Sequence, residues 1–252
     1  MLIANLATYP PRAGRLEQMM SIIAPGVDRV NLVLNEYEEI PAHLAKHKNV
    51  FAVIPEEDTK DTGKFLPKAD KNDLVFLVDD DLIYPADYFY RSAEIYEALG
   101  QGKWVGGYHG TFYSRFPKKL TPRKLLQVLP VSLGKAEPFK NTYHYSKKLA
   151  QHRRVAQIGT GTAVLRGNLM PPFDYMRSSQ KFVDIRFGRW CAEQGIKMVC
   201  FAREKDWIGK IAFPVTIRNS FTRHLPQEVV AEIRSYALEL PDMGKAHRIE
   251  AY

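Results

Sequence analysis

Cysteine is nearly absent from this chain. Its 252 residues include two, Cys191 and Cys200, whose spacing builds neither a zinc site nor a disulfide framework, so a reducing cytoplasm is the expected setting. Long hydrophobic runs are absent as well. No stretch approaches a membrane span, and Met1-Leu2-Ile3-Ala4-Asn5-Leu6-Ala7 lacks the charged region and cleavage site of a signal peptide. Membrane contact is therefore expected to be peripheral. Acid is in short supply, with 28 Asp and Glu against 36 Lys and Arg for a formal charge of +8. That excess points to an anionic partner: nucleic acid, a phosphorylated small molecule or an acidic membrane surface. The basic clusters at Lys118-Lys119, Arg123-Lys124, Lys147-Lys148 and His152-Arg153-Arg154 fit no nucleic-acid recognition motif, and no nucleic-acid partner is expected. Internal repeats and low-complexity linkers are lacking too, which favours a single domain.

What the chain does contain is an alternation of strand-like and helix-like segments. An apolar run at residues 2–7 opens into Thr8-Tyr9-Pro10-Pro11-Arg12, and Leu16, Met19, Met20 and Ile23 then follow helical spacing until Ala24-Pro25-Gly26. Residues 30–34 read as a second strand ending at Asn35-Glu36-Tyr37, and 49–54 as a third. The order strand, helix, strand, helix, strand predicts a parallel sheet whose ligands collect outside the carboxyl ends of the strands. The polar loops at 8–12, 35–37, 58–64 and 79–81 then either converge on one site or stand as unrelated surface loops. Phe89, Ala93, Tyr96 and Leu99 mark a helix stopped by Gly100 and Gly102, and 104–108 a strand that delivers His109.

Between Tyr113 and Val155, prolines at 117, 122, 130 and 138 break the pattern, so an irregular basic excursion is expected. Its apolar residues, Leu125, Leu126, Val128, Leu129, Val131 and Leu133, alternate with the basic clusters. They read either as a segment resting on an anionic membrane or as a packed strip under a solvated basic face. Residues 158–165 return to strand character, and Gly159 and Gly161 would let a backbone or ligand approach closely. No Lys-Ser or Lys-Thr follows to make a phosphate loop. Phe182-Val183-Asp184-Ile185 opens a helix with Asp184 placed as its N-cap. A strand at 197–202 follows, and a final helix begins at Pro226 with Val229, Ile233, Tyr236 and Leu240 on one face.

The most informative stretch is Leu74-Val75-Phe76-Leu77-Val78-Asp79-Asp80-Asp81, an apolar run that ends in three adjacent carboxylates. Such a run reads as a central strand buried on both faces, and its carboxyl end is then a fixed point. Three acids there resist joint ionisation unless a cation neutralises them, which suggests a divalent metal held by hard oxygen ligands. Asp80 or Asp81 could equally start the helix that Pro85 enters.

Several blocks in order resemble the bacterial glycosyltransferases of the GT-A fold, in particular a family-2-like group found with capsule and surface-polysaccharide synthesis. They are Leu34-Asn35-Glu36-Tyr37-Glu38-Glu39-Ile40-Pro41, Asp61-Thr62-Gly63-Lys64-Phe65, Val78 to Tyr88 with its Asp-x-Asp motif, His109-Gly110, Gly159-Thr160-Gly161, Val183-Asp184-Ile185 and Trp207-Ile208. The resemblance implies an α/β fold with a mostly parallel central sheet flanked by helices. It implies one domain over residues 1–252, with 1–110 as the nucleotide-sugar half, 111–155 as an irregular basic insertion and 156–252 as the acceptor and catalytic half.

The activity it implies is a metal-dependent, inverting hexosyl transfer from a nucleotide-sugar donor, a UDP-sugar being favoured, to a hydroxyl of a glycan or lipid-linked saccharide. Asp79 and Asp81 would hold Mn2+ or Mg2+ with His224 as a further ligand, and Asp80 would be free for ribose or metal-bound water. Thr8, Tyr9, Arg12, Asn35, Asp61 and Lys64 would line the nucleotide and diphosphate, with Arg12 and Lys64 as cations. His109, Gly159, Thr160 and Gly161 would wall the donor sugar or acceptor. Asp184 would be the general base, with Asp174, Glu204 and Asp206 as weaker alternatives, because Val183 stands where the family's Glu-Asp pair has its acid. The enzyme would work in the cytoplasm or on the inner membrane face. A non-catalytic nucleotide-sugar or glycan-binding module of the same fold is the main alternative. A sugar-nucleotide pyrophosphorylase would need a glycine-rich loop that Thr8-Tyr9-Pro10-Pro11-Arg12 does not supply.

Overall fold

The computed structural model describes residues 1–117, 121–134, 136–211, 225–238 and 240–249. Its frame is an eight-stranded sheet in the order β3-β2-β1-β4-β11-β6-β12-β9. The strands are β1 (Leu2–Thr8), β2 (Arg29–Leu34), β3 (Val50–Val53), β4 (Leu74–Val78), β6 (Trp104–Gly107), β9 (Arg153–Val155), β11 (Thr162–Arg166) and β12 (Lys197–Cys200). β1, β2, β3 and β4 pair in parallel, as do β6 and β12, whereas β11 runs antiparallel to both β4 and β6 and β9 antiparallel to β12. This is the mixed, mostly parallel sheet flanked by helices that the GT-A resemblance implies.

β4 is central, and its composition says why. Leu74, Phe76 and Val78 face one layer with helices α1 (Leu16–Ile23) and α2 (Tyr88–Glu97), while Val75 and Leu77 face the other with α5 (Val183–Glu193). A strand packed on both sides needs no polar face, so the run is apolar throughout. In α1 the buried residues are Leu16, Met19, Met20 and Ile23, as the helical spacing predicts. Phe76 meets Phe89 edge to face at 5.1 Å and tightens the contact between β4 and α2.

Three expectations need correction. The crossover between β2 and β3 is a five-residue 3-10 turn, Ala42–Lys46, in which Leu44 alone is buried, so no apolar face exists to hold a longer helix. Asp184 is not an N-cap: Phe182 occupies that position and Asp184 sits in the first turn of α5. The excursion after Tyr113 is more regular than the sequence pattern predicts. β7 (Gly110–Ser114) leads into an 11-residue helix, α3 (Pro122–Ser132), and returns along β8 (Phe139–Tyr143). Thr121 caps α3 by accepting from the Lys124 amide at 3.3 Å, with Pro122 at the first position and Pro130 inside the helix. The final helix, α6 (Gln227–Tyr236), packs Val229, Ile233 and Tyr236 against α5 and β7.

Candidate active site

The carboxyl ends of β1, β2 and β4 lie side by side, and their loops do converge. The chain leaves β4 at Val78 into Asp79-Asp80-Asp81 and returns as β5 (Leu82–Ile83). Each of the three acids meets its own cation. Asp80 is 5% exposed; its Oδ1 accepts from Arg12 Nη1 and its Oδ2 from Thr8 Oγ1 at 2.7 Å. Asp79 Oδ1 accepts from Lys64 Nζ. Asp81 faces Lys210, Oδ2 to Nζ 3.9 Å, across a two-stranded ribbon in which β5 pairs with β13 (Gly209–Lys210).

Lys64 is the unusual member, since it is 2% exposed. Burial opposes its charge, but the bonded Asp79, with Asp61 and Asp184 farther off, outweighs that effect and holds its pKa above the ordinary value. Its backbone is fixed by a buried polar chain. Arg29 Nε donates to Asn31 Oδ1 at 2.8 Å, Asn31 Nδ2 to Asn5 Oδ1 at 2.9 Å, and Asn5 Nδ2 to the Lys64 carbonyl at 3.0 Å. Asn35 ties the neighbouring loops together by accepting from the Thr59 amide and hydroxyl and donating to the Lys60 carbonyl at 3.0 Å. Tyr9 lies beneath the Arg12 guanidinium, 5.3 Å from ring centroid to Cζ.

The second half of the chain reaches this edge through the turn between β10 (Gln157–Ile158) and β11. Because β11 runs antiparallel to β4, with Thr162 opposite Val78, Gly159-Thr160-Gly161 lands beside the acids. A Cβ at Gly161 would fall on the Asp79 carboxylate, so any other residue there has to push that side chain aside. Tyr84 clamps the two loops: its hydroxyl donates to the Gly161 carbonyl at 2.7 Å and accepts from the Asp79 amide at 2.7 Å. Thr160 brings in α5, its amide and hydroxyl both donating to Asp184 Oδ1, at 2.8 and 2.9 Å.

Burial and neighbouring acids set the protonation of the carboxylates at this edge. Burial and then Asp79 push Asp81 up to about 6. Burial pushes Asp61 up to about 6 as well, and the Lys181 amide donating to it at 3.1 Å only partly offsets this. Burial raises Asp184, helped by Asp79 and opposed by the Thr160 bonds. His109 is driven the other way, down to about 3 by burial and by His144, and is neutral at physiological pH. Its ring packs against His144 at 5.1 Å and Tyr145 at 5.8 Å, and its carbonyl accepts from the Gly159 amide at 2.8 Å.

The structure thus brings together Thr8, Tyr9, Arg12, Asn35, Asp61, Lys64, the Asp triplet, His109, Gly159 to Gly161 and Asp184. His224 lies outside the described residues. Among the described residues no three His, Cys, Asp or Glu side chains are gathered to hold a metal by themselves. Asp80 accepts one bond on each oxygen, from Arg12 and from Thr8. Of the weaker alternatives to Asp184 as base, the Asp174 side chain is 89% exposed, Glu204 69% and Asp206 66%. Sequence reasoning missed two members of the site. Tyr84 stands inside the Asp-x-Asp block, and Lys210 lies two residues beyond the Trp207-Ile208 block, in the ribbon strand that follows it.

No family model matches the chain, and no curated protein matches it. Among solved structures, the fold is similar to that of a mycobacterial protein with a TM-score of 0.52 at 14% identity, over 94% of this chain and 74% of that one. Glucosyl-3-phosphoglycerate synthase from Mycobacterium tuberculosis, in complex with Mn2+, uridine diphosphate and phosphoglyceric acid, aligns over 96% of this chain and 80% of its own. The TM-score there is 0.49 at 14% identity. Likeness at such identity is likeness of fold alone.

Proposed function

We propose that this chain is a metal-dependent glycosyltransferase of the GT-A type, moving a hexose from a nucleotide-sugar, UDP-sugar being favoured, to a hydroxyl of a glycan or lipid-linked acceptor with inversion. The observation that carries this is the acid triplet at the carboxyl end of β4, closed over by a glycine turn that delivers Asp184 to the same edge.

Asp79 and Asp81 suit a hard divalent ion that completes its shell with substrate phosphate and water, the usual way Mg2+ binds and one open to Mn2+. Their oxygens are hard donors, and the upward push on Asp81 by burial and Asp79 is the strain such an ion relieves. When bound, the ion would neutralise charge developing on the leaving diphosphate. The chain's own residues do the rest. Arg12 and Thr8 hold Asp80 and so fix the loop. Lys64 places a buried positive charge beside Asp79, where it adds to the field on the departing phosphate. Asp184 takes the acceptor proton: both Thr160 bonds fall on Oδ1, which leaves Oδ2 to receive it, and its raised pKa suits a base. Attack by that hydroxyl on the anomeric carbon, from the side away from the diphosphate, forms the new glycosidic bond as the old one to phosphate breaks. The proton passes to Asp184. Neutral His109 and the Gly159 turn wall the space between donor and acceptor.

The test is calorimetric binding of a panel of UDP-, GDP- and CMP-sugars with and without Mn2+, repeated on Asp81→Ala. Metal-dependent binding of one donor by the wild type, lost in the variant, is the expected result. Failure of every donor to bind with metal present would sink the proposal. Turnover that is absent despite tight donor binding would favour the non-catalytic module instead.

A further inference from the structure

Helix α3 turns its apolar side to solvent. Leu125 is 60% exposed, Leu126 80%, Leu129 66% and Leu133 59%, and Phe116 just before it is 64% exposed. At about 100° per residue the four leucines span roughly a quarter of the helix circumference, so they form one ridge. The inward side is held separately: Val131 is buried, and its carbonyl accepts from Arg234 Nη2 of α6 at 2.7 Å. Four neighbouring leucines exposed in this way mark an interaction surface.

Charge says what covers it. Residues 115–140 carry seven Lys and Arg against the single acid Glu137. Two of those lysines, Lys124 and Lys140, line a cleft of about 620 Å³ between α3 and β8. An exposed leucine ridge within a segment this basic is the composition of a helix that lies in a lipid interface, its apolar side among acyl chains and the segment's cations drawn to anionic headgroups. A protein groove would have to supply a matching row of acids around an apolar floor. The topology adds a purpose. The excursion leaves the site at His109, just before β7, and returns along β8 to His144 and Tyr145, whose rings pack on His109. The β7–β8 hairpin that carries α3 is therefore rooted beside the acid loop.

We propose that α3 is an interfacial helix that seats its leucine ridge in an anionic bilayer and so holds the active site at the membrane, where the hydroxyl of a lipid-linked saccharide is displayed. The docking stands on the helix alone, while the acceptor it implies rests on the transferase reading.

The experiment is co-sedimentation of the full chain, without donor or acceptor, with vesicles of phosphatidylcholine alone or mixed with phosphatidylglycerol. Binding to the anionic vesicles is expected, about tenfold weaker to neutral ones and weakened again by high salt. Leu126→Glu/Leu129→Glu should remove at least about tenfold of the bound fraction while leaving metal-dependent donor binding unchanged. Lys124→Glu should give a smaller loss, about fivefold. Binding that survives the double substitution, or that ignores lipid charge, overturns the proposal. So does a wild-type dimer that the same substitution turns into a monomer by light scattering, since a second copy would then cover the ridge. Loss of donor binding in the wild type would remove the acceptor but leave the vesicle result standing.

Discussion

The acid loop and α3 are built on opposite terms. At the loop every charge is met inside the protein: Asp79 by Lys64, Asp80 by Arg12 and Thr8, Asp81 by Lys210. On α3 the leucine ridge is left unmet. The loop is therefore a place where the chain pairs its charges internally, and the helix a place where it leaves apolar surface to be covered from outside. A site of the first kind is sensitive to single atoms, because low dielectric strengthens each interaction. A surface of the second kind is insensitive to substitution in water and sensitive only where lipid is present.

Substitutions can break that contrast. The largest effect is expected from Asp184→Asn, which should lower turnover about 10²- to 10⁴-fold, the usual loss of a general base, while donor affinity by calorimetry stays within about twofold. An equal loss of donor affinity would assign Asp184 to binding instead. Next comes Lys64→Met. It removes the buried partner of Asp79, whose side chain is 39% exposed, so water softens the penalty and about 1–3 kcal/mol of stability should be lost in urea unfolding. The leucine substitutions on α3 should shift the same curve by no more than about 0.5 kcal/mol in the absence of lipid, and a larger shift would mean the ridge is packed in solution.

Gly161→Ala is expected to be intermediate. The added methyl displaces the Asp79 carboxylate, so metal-dependent donor affinity should fall about tenfold while the fold survives by circular dichroism. At Asp61 the expected effect is a gain in stability. Burial raises its carboxyl to about 6, so the folded protein holds that proton more tightly than the unfolded chain. The penalty is in force above about pH 6 and is relieved as pH falls toward 4. Asp61→Asn removes it, and should raise the melting temperature by roughly 2–4 °C at pH 7.5 and leave it unchanged at pH 4. A rise that persists at pH 4 would point to another cause.

The same contrast explains what the sequence disclosed. β4 was legible because burial on both faces demands an unbroken apolar run, and α1 because Leu16, Met19, Met20 and Ile23 face one core. The acids stood out because a buried strand ended in them. The cations answering those acids were not legible as partners. Arg12 and Lys64 are expected to face phosphate, and only the packing of their 3-10 turns, Pro10–Arg15 and Lys60–Phe65, against the acid loop shows them turned onto Asp80 and Asp79. Lys210 reaches Asp81 through β13, a pairing too short to leave a periodic signal. α3 was lost for a different reason. Apolar periodicity is read as a sign of burial, and here the apolar side faces outward, with Pro130 interrupting the pattern near the helix end.

The reversed strand β11 carries a consequence for how the molecule forms. During synthesis the chain through β4 emerges first, and until residues 162–166 arrive, one edge of β4 has no neighbour among the preceding strands. That edge is five apolar residues long, the kind that templates aggregation. β11 closes it and in the same step sets Gly161 against Asp79. The assembly of the acid site is thus a by-product of sealing the sheet, and a truncation ending before Gln157 should be lost to aggregation before its ligand binding can be measured.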